Sequence, residues 1–232
     1  MSPYDWSLVI VGMLLQGMVL ATMLKGPFRR YPLIFAYLIF CLLSTVAQFS
    51  FKHYFGPRSK EFIRAYWTCD FVGTLLVLII IINLIRTAME GHKYRSPVYW
   101  GLLSGVVSMA VVSSILMRSF SGFGFGKWMT EVGRNYYFAA VLLNAMLWST
   151  LMRSNSENKQ LYLLTSGLGL KLTGAAVAHA LRVTNTMVFV ASQFVIPVAY
   201  LLHLYIWYVA LKKFPVVLPA DLKKTAYPEA AR

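Results

Sequence analysis

What most restricts the fold of this chain is a run of apolar blocks, each about 20 residues long, separated by short stretches that carry nearly all the charge. About twenty residues of α-helix, at 1.5 Å per residue, cross the ~30 Å hydrocarbon layer of a bilayer. Inside that layer no water satisfies backbone N–H and C=O groups, so a spanning segment must bond them within itself as a helix or close them in a barrel. Blocks of this length predict helices. Spans are expected over about 5–25, 32–53, 63–87, 97–119, 128–152, 160–182 and 188–211, an all-α polytopic transmembrane bundle of seven helices. Residues 1–212 would form that bundle, and 213–232 a short basic tail broken by Pro215, Pro219 and Pro228.

Composition points the same way. The chain is 58% hydrophobic and 13% charged, where an average soluble domain carries roughly 25% charge. The net charge of +14 does not read as a nucleic-acid footprint, because the Lys and Arg residues sit between apolar blocks instead of along one soluble face. They flank a membrane, where anionic headgroups attract them. The lipid bilayer and its anionic headgroups are therefore the expected partners, a membrane protein is a further candidate partner, and nucleic acid is excluded.

Seven spans put the termini on opposite sides. With the N-terminus outside, thirteen Lys and Arg residues lie inside and eight outside, the surplus coming from the tail residues Lys212, Lys213, Lys223, Lys224 and Arg232. The first block has no basic residue before it and Lys25, Arg29 and Arg30 just after it, which again favours an outside N-terminus and inside C-terminus. Met1-Ser2-Pro3-Tyr4-Asp5-Trp6 lacks the basic start of a cleaved signal peptide, so the first helix is expected to persist in a multi-pass protein of the cell membrane. Cys41 is expected near mid-membrane and Cys69 about 10 Å nearer the outer end. A disulfide needs Cα atoms within about 7 Å, so two free thiols are expected.

Ionisable and amide side chains inside a membrane are costly, which makes each a functional candidate. Gln48, Asp70 and Gln193 are expected roughly 7–10 Å below the outer surface and His179 about 5 Å below it, while Lys171 starts near the midplane on a stem that can reach outward. Together with Tyr66 and Trp67 they form a candidate ligand-binding cluster in the outer half, with Asp70 paired to Lys171. An interhelical hydrogen-bond network without a ligand is the competing reading. In the outer loop, Arg58, Lys60 and Arg64 form a basic patch interleaved with aromatic residues, suited to an anionic ligand or headgroup, or to a belt of rings and snorkelling cations. Small residues are expected to bring helices close: Gly101, Ser104, Gly105 and Ser108 in the fourth, and Gly167, Gly174, Ala175 and Ala178 in the sixth. On the seventh helix, Gln193, Pro197, Tyr200 and His203 form a stripe around a proline, either lining a cavity or merely packed.

Several sharper chemistries fail. A retinal Schiff base needs a lysine in mid-course of the last helix, which has none before Lys212. A haem between two histidines needs them at one depth, whereas His179 and His203 differ by about 17 Å on helical counting. No zinc motif, nucleophile elbow or phosphate loop occurs, so no metal, cofactor or catalytic residue is expected. There is also no internal repeat of the kind that marks inverted-repeat transporters.

Tyr31-Pro32-Leu33-Ile34-Phe35-Ala36-Tyr37, with Tyr66-Trp67-x-x-Asp70 on the following helix, resembles a pattern in bacterial multi-spanning inner-membrane proteins that carry no assigned activity. The resemblance covers about a third of the chain and implies a bacterial inner-membrane location without implying any chemistry.

The function expected from these residues is a ligand-binding sensor or receptor-like module that opens outward. The alternatives are a structural or assembly subunit of a larger membrane complex, or a transporter or lipid-active enzyme using Asp70. The topology is checked directly: a reporter fused after Arg232 is expected to be active only on the inner face, and activity on the outer face would reverse the orientation.

Overall fold

The computed structural model describes residues 3–57, 59–89, 94–120, 125–153, 158–181 and 186–214. Among these residues there are seven α-helices: α1 (Pro3–Leu24), α2 (Pro32–Phe55), α3 (Lys60–Ala88), α4 (Arg95–Phe120), α5 (Phe125–Arg153), α6 (Lys159–Leu181) and α7 (Thr186–Lys213). The expected tail lies outside the described residues. Local chemistry sets the first two connections. Gly26, at φ +140°, leads into a single 3-10 turn over Pro27–Arg29, and Pro32 then starts α2, where a missing N–H costs nothing. Gly56, at φ +85°, ends α2 by donating its N–H to the Lys52 carbonyl. Ser59 caps α3 by accepting from the Phe62 N–H at 3.1 Å.

Six of these helices are long and apolar enough to cross a membrane: α1, α2, α3, α4, α6 and α7. Of the seven expected spans, α5 does not reach that apolarity over its described residues. Its 29 residues are sufficient in length, but Arg134, Asn135 and Asn144 dilute its apolar character. Packing supplies what hydropathy lacks, for α5 lies between α3 and α6 with α4 also against it, and Asn144 is buried within the protein.

The helices form a ring. In order of contact it runs α1, α2, α3, α5, α6, α7 and back to α1, and α4 sits outside against α3 and α5. The chain thus closes its first helix against its last. The apolar face of α3, from Val77 to Ile85, and the rings of Tyr31 and Trp207 fill one end of this ring, while Tyr136 packs edge-on against Phe71 further along, centroids 5.5 Å apart.

The two expected small-residue faces have different fates. On α6, a Cβ added at Gly174 would lie 2.5 Å from the Ala199 Cβ, and one at Gly167 would lie 2.9 Å from the Trp207 Cδ1. These glycines let α6 and α7 approach backbone to backbone, and Gly169 does the same toward Asn144 of α5. On α4, nothing lies within 4 Å of a Cβ built at Gly101 or Gly105, and Ser104 and Ser108 are exposed beside them. That face does not bring two helices together in this chain, because α4 turns its other side to α3 and α5.

A paired substitution tests this packing. Gly174→Ala is expected to destabilise the detergent-solubilised protein by about 1–3 kcal/mol through overpacking, while Gly105→Ala stays within about 0.5 kcal/mol of wild type. Thermal unfolding of the two variants side by side reads the difference.

Candidate functional site

At the centre of the ring lies a cavity of about 210 Å³. Every ring helix except α1 contributes to its wall: Tyr37, Cys41, Ser44, Thr45 and Gln48 from α2, Tyr66, Cys69, Asp70 and Thr74 from α3, Tyr137 from α5, Lys171 from α6 and Tyr200 from α7. Four of the expected site residues, Gln48, Tyr66, Asp70 and Lys171, therefore meet at one space. They do so because α3 begins at Lys60 and α6 runs to Leu181. Counted along those helices, Asp70 and Lys171 each lie roughly 15 Å from the same end of the bundle, the end that holds the start of α1.

Each charge is held by a tyrosine. Tyr137 donates its hydroxyl to Asp70 Oδ1 at 3.1 Å, and the Asp70 main-chain carbonyl accepts from Thr74 Oγ1 at 2.8 Å. Lys171 Nζ donates to the Tyr37 hydroxyl and lies 4.6 Å from the centre of the Tyr37 ring and 5.8 Å from that of Tyr200. An ammonium bonded to a phenol oxygen and within 6 Å of a second tyrosine ring keeps part of the solvation it would lose in hydrocarbon. The side chains of Asp70 and Lys171 thus meet their tyrosine partners at the cavity wall, which also carries hydroxyls, thiols and apolar side chains such as Phe40 and Ile196. Cys41 and Cys69 are both free and both line this space.

The other expected residues fall elsewhere. Trp67 is packed edge-on to Tyr66, with centroids 5.4 Å apart, and does not line the cavity. The side chains of His179 and Gln193, and all of Arg58, lie outside the described residues. Lys60 and Arg64 are exposed near the start of α3, four residues apart and so on one helix face, away from the cavity wall. The α7 stripe divides. Tyr200 lines the cavity, while His203 is fully buried against Trp207, centroids 4.1 Å apart.

A second space of about 500 Å³ adjoins the first between α1, α2 and α7, and shares Thr45, Ile196 and Tyr200 with it. At the shared wall the buried Gln16 donates to the Leu38 carbonyl at 2.6 Å and accepts from the Tyr200 hydroxyl at 3.4 Å.

Sequence reasoning did not single out Tyr137, Gln16, Ser44 or Thr45, and took Tyr37 only as part of a motif. The available signal was position: membrane tyrosines concentrate at the interfaces, so one well inside a span has a hydroxyl that needs an internal partner.

Chemically, the central cavity offers a carboxylate, an ammonium and several hydroxyls in a space smaller than the ~300–1,000 Å³ of drug-sized sites. It has room for one small polar molecule or a few waters, at roughly 30 Å³ per water. Among the described residues no group of three or more His, Cys, Asp or Glu side chains is placed to hold a metal ion. No protein-family model, curated protein or solved structure matches the chain.

The two charges are expected to be energetically linked through this cavity. Asp70→Asn and Lys171→Met should each lower stability in detergent, and the double variant should lose less than the sum, with a coupling of about 0.5–3 kcal/mol. Strictly additive losses would mean that the charges act independently.

Proposed function

We propose that this multi-pass membrane protein is a receptor-like sensor that binds a small zwitterionic molecule in its central cavity. One observation carries the reading: Asp70 and Lys171, opposite charges that are each expensive within a membrane, line the same 210 Å³ space and are each held by a tyrosine. An ammonium group of the ligand would face Asp70 and an anionic group would face Lys171. The hydroxyls of Tyr37, Tyr137 and Tyr200 would complete its hydrogen bonds.

The N-terminus is outside and the C-terminus inside in this proposal, in keeping with the charge bias, so Asp70 and Lys171 lie nearer the outer ends of their helices. Tyr200 gives the ligand a direct hold on α7. That helix continues without interruption to Lys212 and Lys213, where Lys212 Nζ donates to the Tyr208 hydroxyl at 2.9 Å. A change at Tyr200 would therefore reach the inner face along one helix, toward a membrane-protein partner there. The exposed Lys60 and Arg64 would meet anionic headgroups at the other face.

The two native thiols provide the test. With the full chain in detergent, alkylation of Cys41 and Cys69 by N-ethylmaleimide is followed in the presence of γ-aminobutyrate, taurine or glycine, and of butyrate and butylamine as singly charged controls. At least one zwitterion is expected to slow alkylation several-fold in the wild type and to lose that effect in Asp70→Asn and Lys171→Met. Rates that no zwitterion changes, or protection that survives both substitutions, would reject the proposal.

A further inference from the structure

The second space differs from the central cavity in shape and chemistry. Its walls are mainly apolar, with Leu8, Gly12 and Met13 from α1 facing Pro197 and Leu201 from α7. Along α1 it extends from Leu8 to Gln16, about 12 Å at helical rise, so it is elongated along the membrane normal. Met13 forms part of the wall and is also 37% exposed on the outer surface of the bundle, which opens the slot sideways toward lipid. A Cβ at Gly12 would meet only Leu201 Cδ2, at 3.7 Å, so the missing side chain there is what leaves the slot its width. Pro197 lies directly opposite on α7, where the proline ring prevents a regular close-packed turn.

Its polar groups are unequal. At the deep end, Gln16 bonds to the Leu38 carbonyl and the Tyr200 hydroxyl, and Thr45 donates to the Cys41 carbonyl at 2.9 Å, so these groups satisfy one another. At the other end stands Lys52, half-buried in the last turn of α2, and no hydrogen bond or ion pair engages its ammonium among the described residues. One unengaged cation at the mouth and an apolar slot below it form a complementary site for an amphiphile with a single negative charge and one chain.

We infer that this slot binds a long-chain fatty acid, its carboxylate on Lys52 and its chain running between α1 and α7 toward Tyr200. The volume of about 500 Å³ lies within the range of ordinary small-molecule sites, and the sideways opening lets the chain enter from the bilayer without crossing water. A carboxylate suits a single ammonium because it matches its charge and can accept a charge-assisted hydrogen bond. The site is separate from the central cavity, and the shared wall at Tyr200 places the two occupants next to each other.

The experiment measures retention of radiolabelled palmitate by the full-length protein in detergent, with hexadecanol as the uncharged chain of equal length. The wild type is expected to retain palmitate at least about tenfold more tightly than hexadecanol, the difference that one good ionic contact supplies. Lys52→Gln, at a half-exposed position that leaves the fold intact, should abolish that preference and leave hexadecanol unchanged. Gly12→Leu, which fills the slot, should reduce retention of both. Lys159→Gln, an exposed lysine at the start of α6 outside both spaces, should alter neither, which ties the preference to Lys52. Equal retention of palmitate and hexadecanol by the wild type, or a palmitate preference that persists in Lys52→Gln, would overturn the inference. If Gly12→Leu does not fold, the Lys52→Gln comparison decides alone.

Discussion

Everything in this bundle that touches its interior depends on how closely α6 approaches α7. At Gly174 and Gly167 the two backbones come so near that a methyl group would collide with Ala199 or with the Trp207 ring. In a bilayer there is little hydrophobic gain from burying one apolar side chain against another, because lipid is equally apolar. Helices are held by close van der Waals packing and by the hydrogen bonds that packing permits. The Trp207 indole illustrates the second part, donating to the Leu164 carbonyl at 2.9 Å across this same interface. With α7 locked to α6, its other face is left to meet α1, and the ring closes.

A closed ring creates an interior that is neither lipid nor protein core, and the chain uses it for its polar residues. A carboxylate and an ammonium facing hydrocarbon would be strongly disfavoured. Lining a common cavity, each is partnered by a phenol hydroxyl instead. Tyrosine suits this task because its ring packs like an apolar side chain while its hydroxyl both donates and accepts. The same logic extends to Gln16, whose amide is consumed by a neighbouring helix carbonyl and the Tyr200 hydroxyl. His203, by contrast, is buried chiefly against the aromatic rings of Tyr200 and Trp207.

α5 shows how such an interior relaxes the demands on individual helices. Over its described residues, its composition falls short of a membrane span. Flanked by α3, α4 and α6, it can carry Asn144 in the core and present Tyr137 to Asp70. Arg134, Asn135 and Asn144 weaken it as a separate span, whereas its contribution to the cavity is Tyr137.

The positions of the helices were legible in the residue order, since an apolar block has to be a helix in hydrocarbon whatever surrounds it, and Gly56, Pro32 and Ser59 mark the ends by local chemistry alone. Asp70, Lys171, Gln48 and Tyr66 could likewise be marked as unusual, because the cost of burying a charge or an amide does not depend on which helix carries it. Their partners could not. Depth counting suggested Asp70 against Lys171, but it gives no rotation about the helix axis, so it could not name Tyr137 and Tyr37 as hydrogen-bond partners of the two charges. Nor could it tell that Gly174 faces another helix while Gly105 faces none, although both are small residues in apolar surroundings. Sequence alone determined which segments are helical and which side chains are costly in a membrane, because those are properties of a residue and its solvent. Only the tertiary structure decided which of them share a cavity, because that depends on the order and rotation of helices around the ring, set by contacts between residues as far apart as Gln16 and Tyr200.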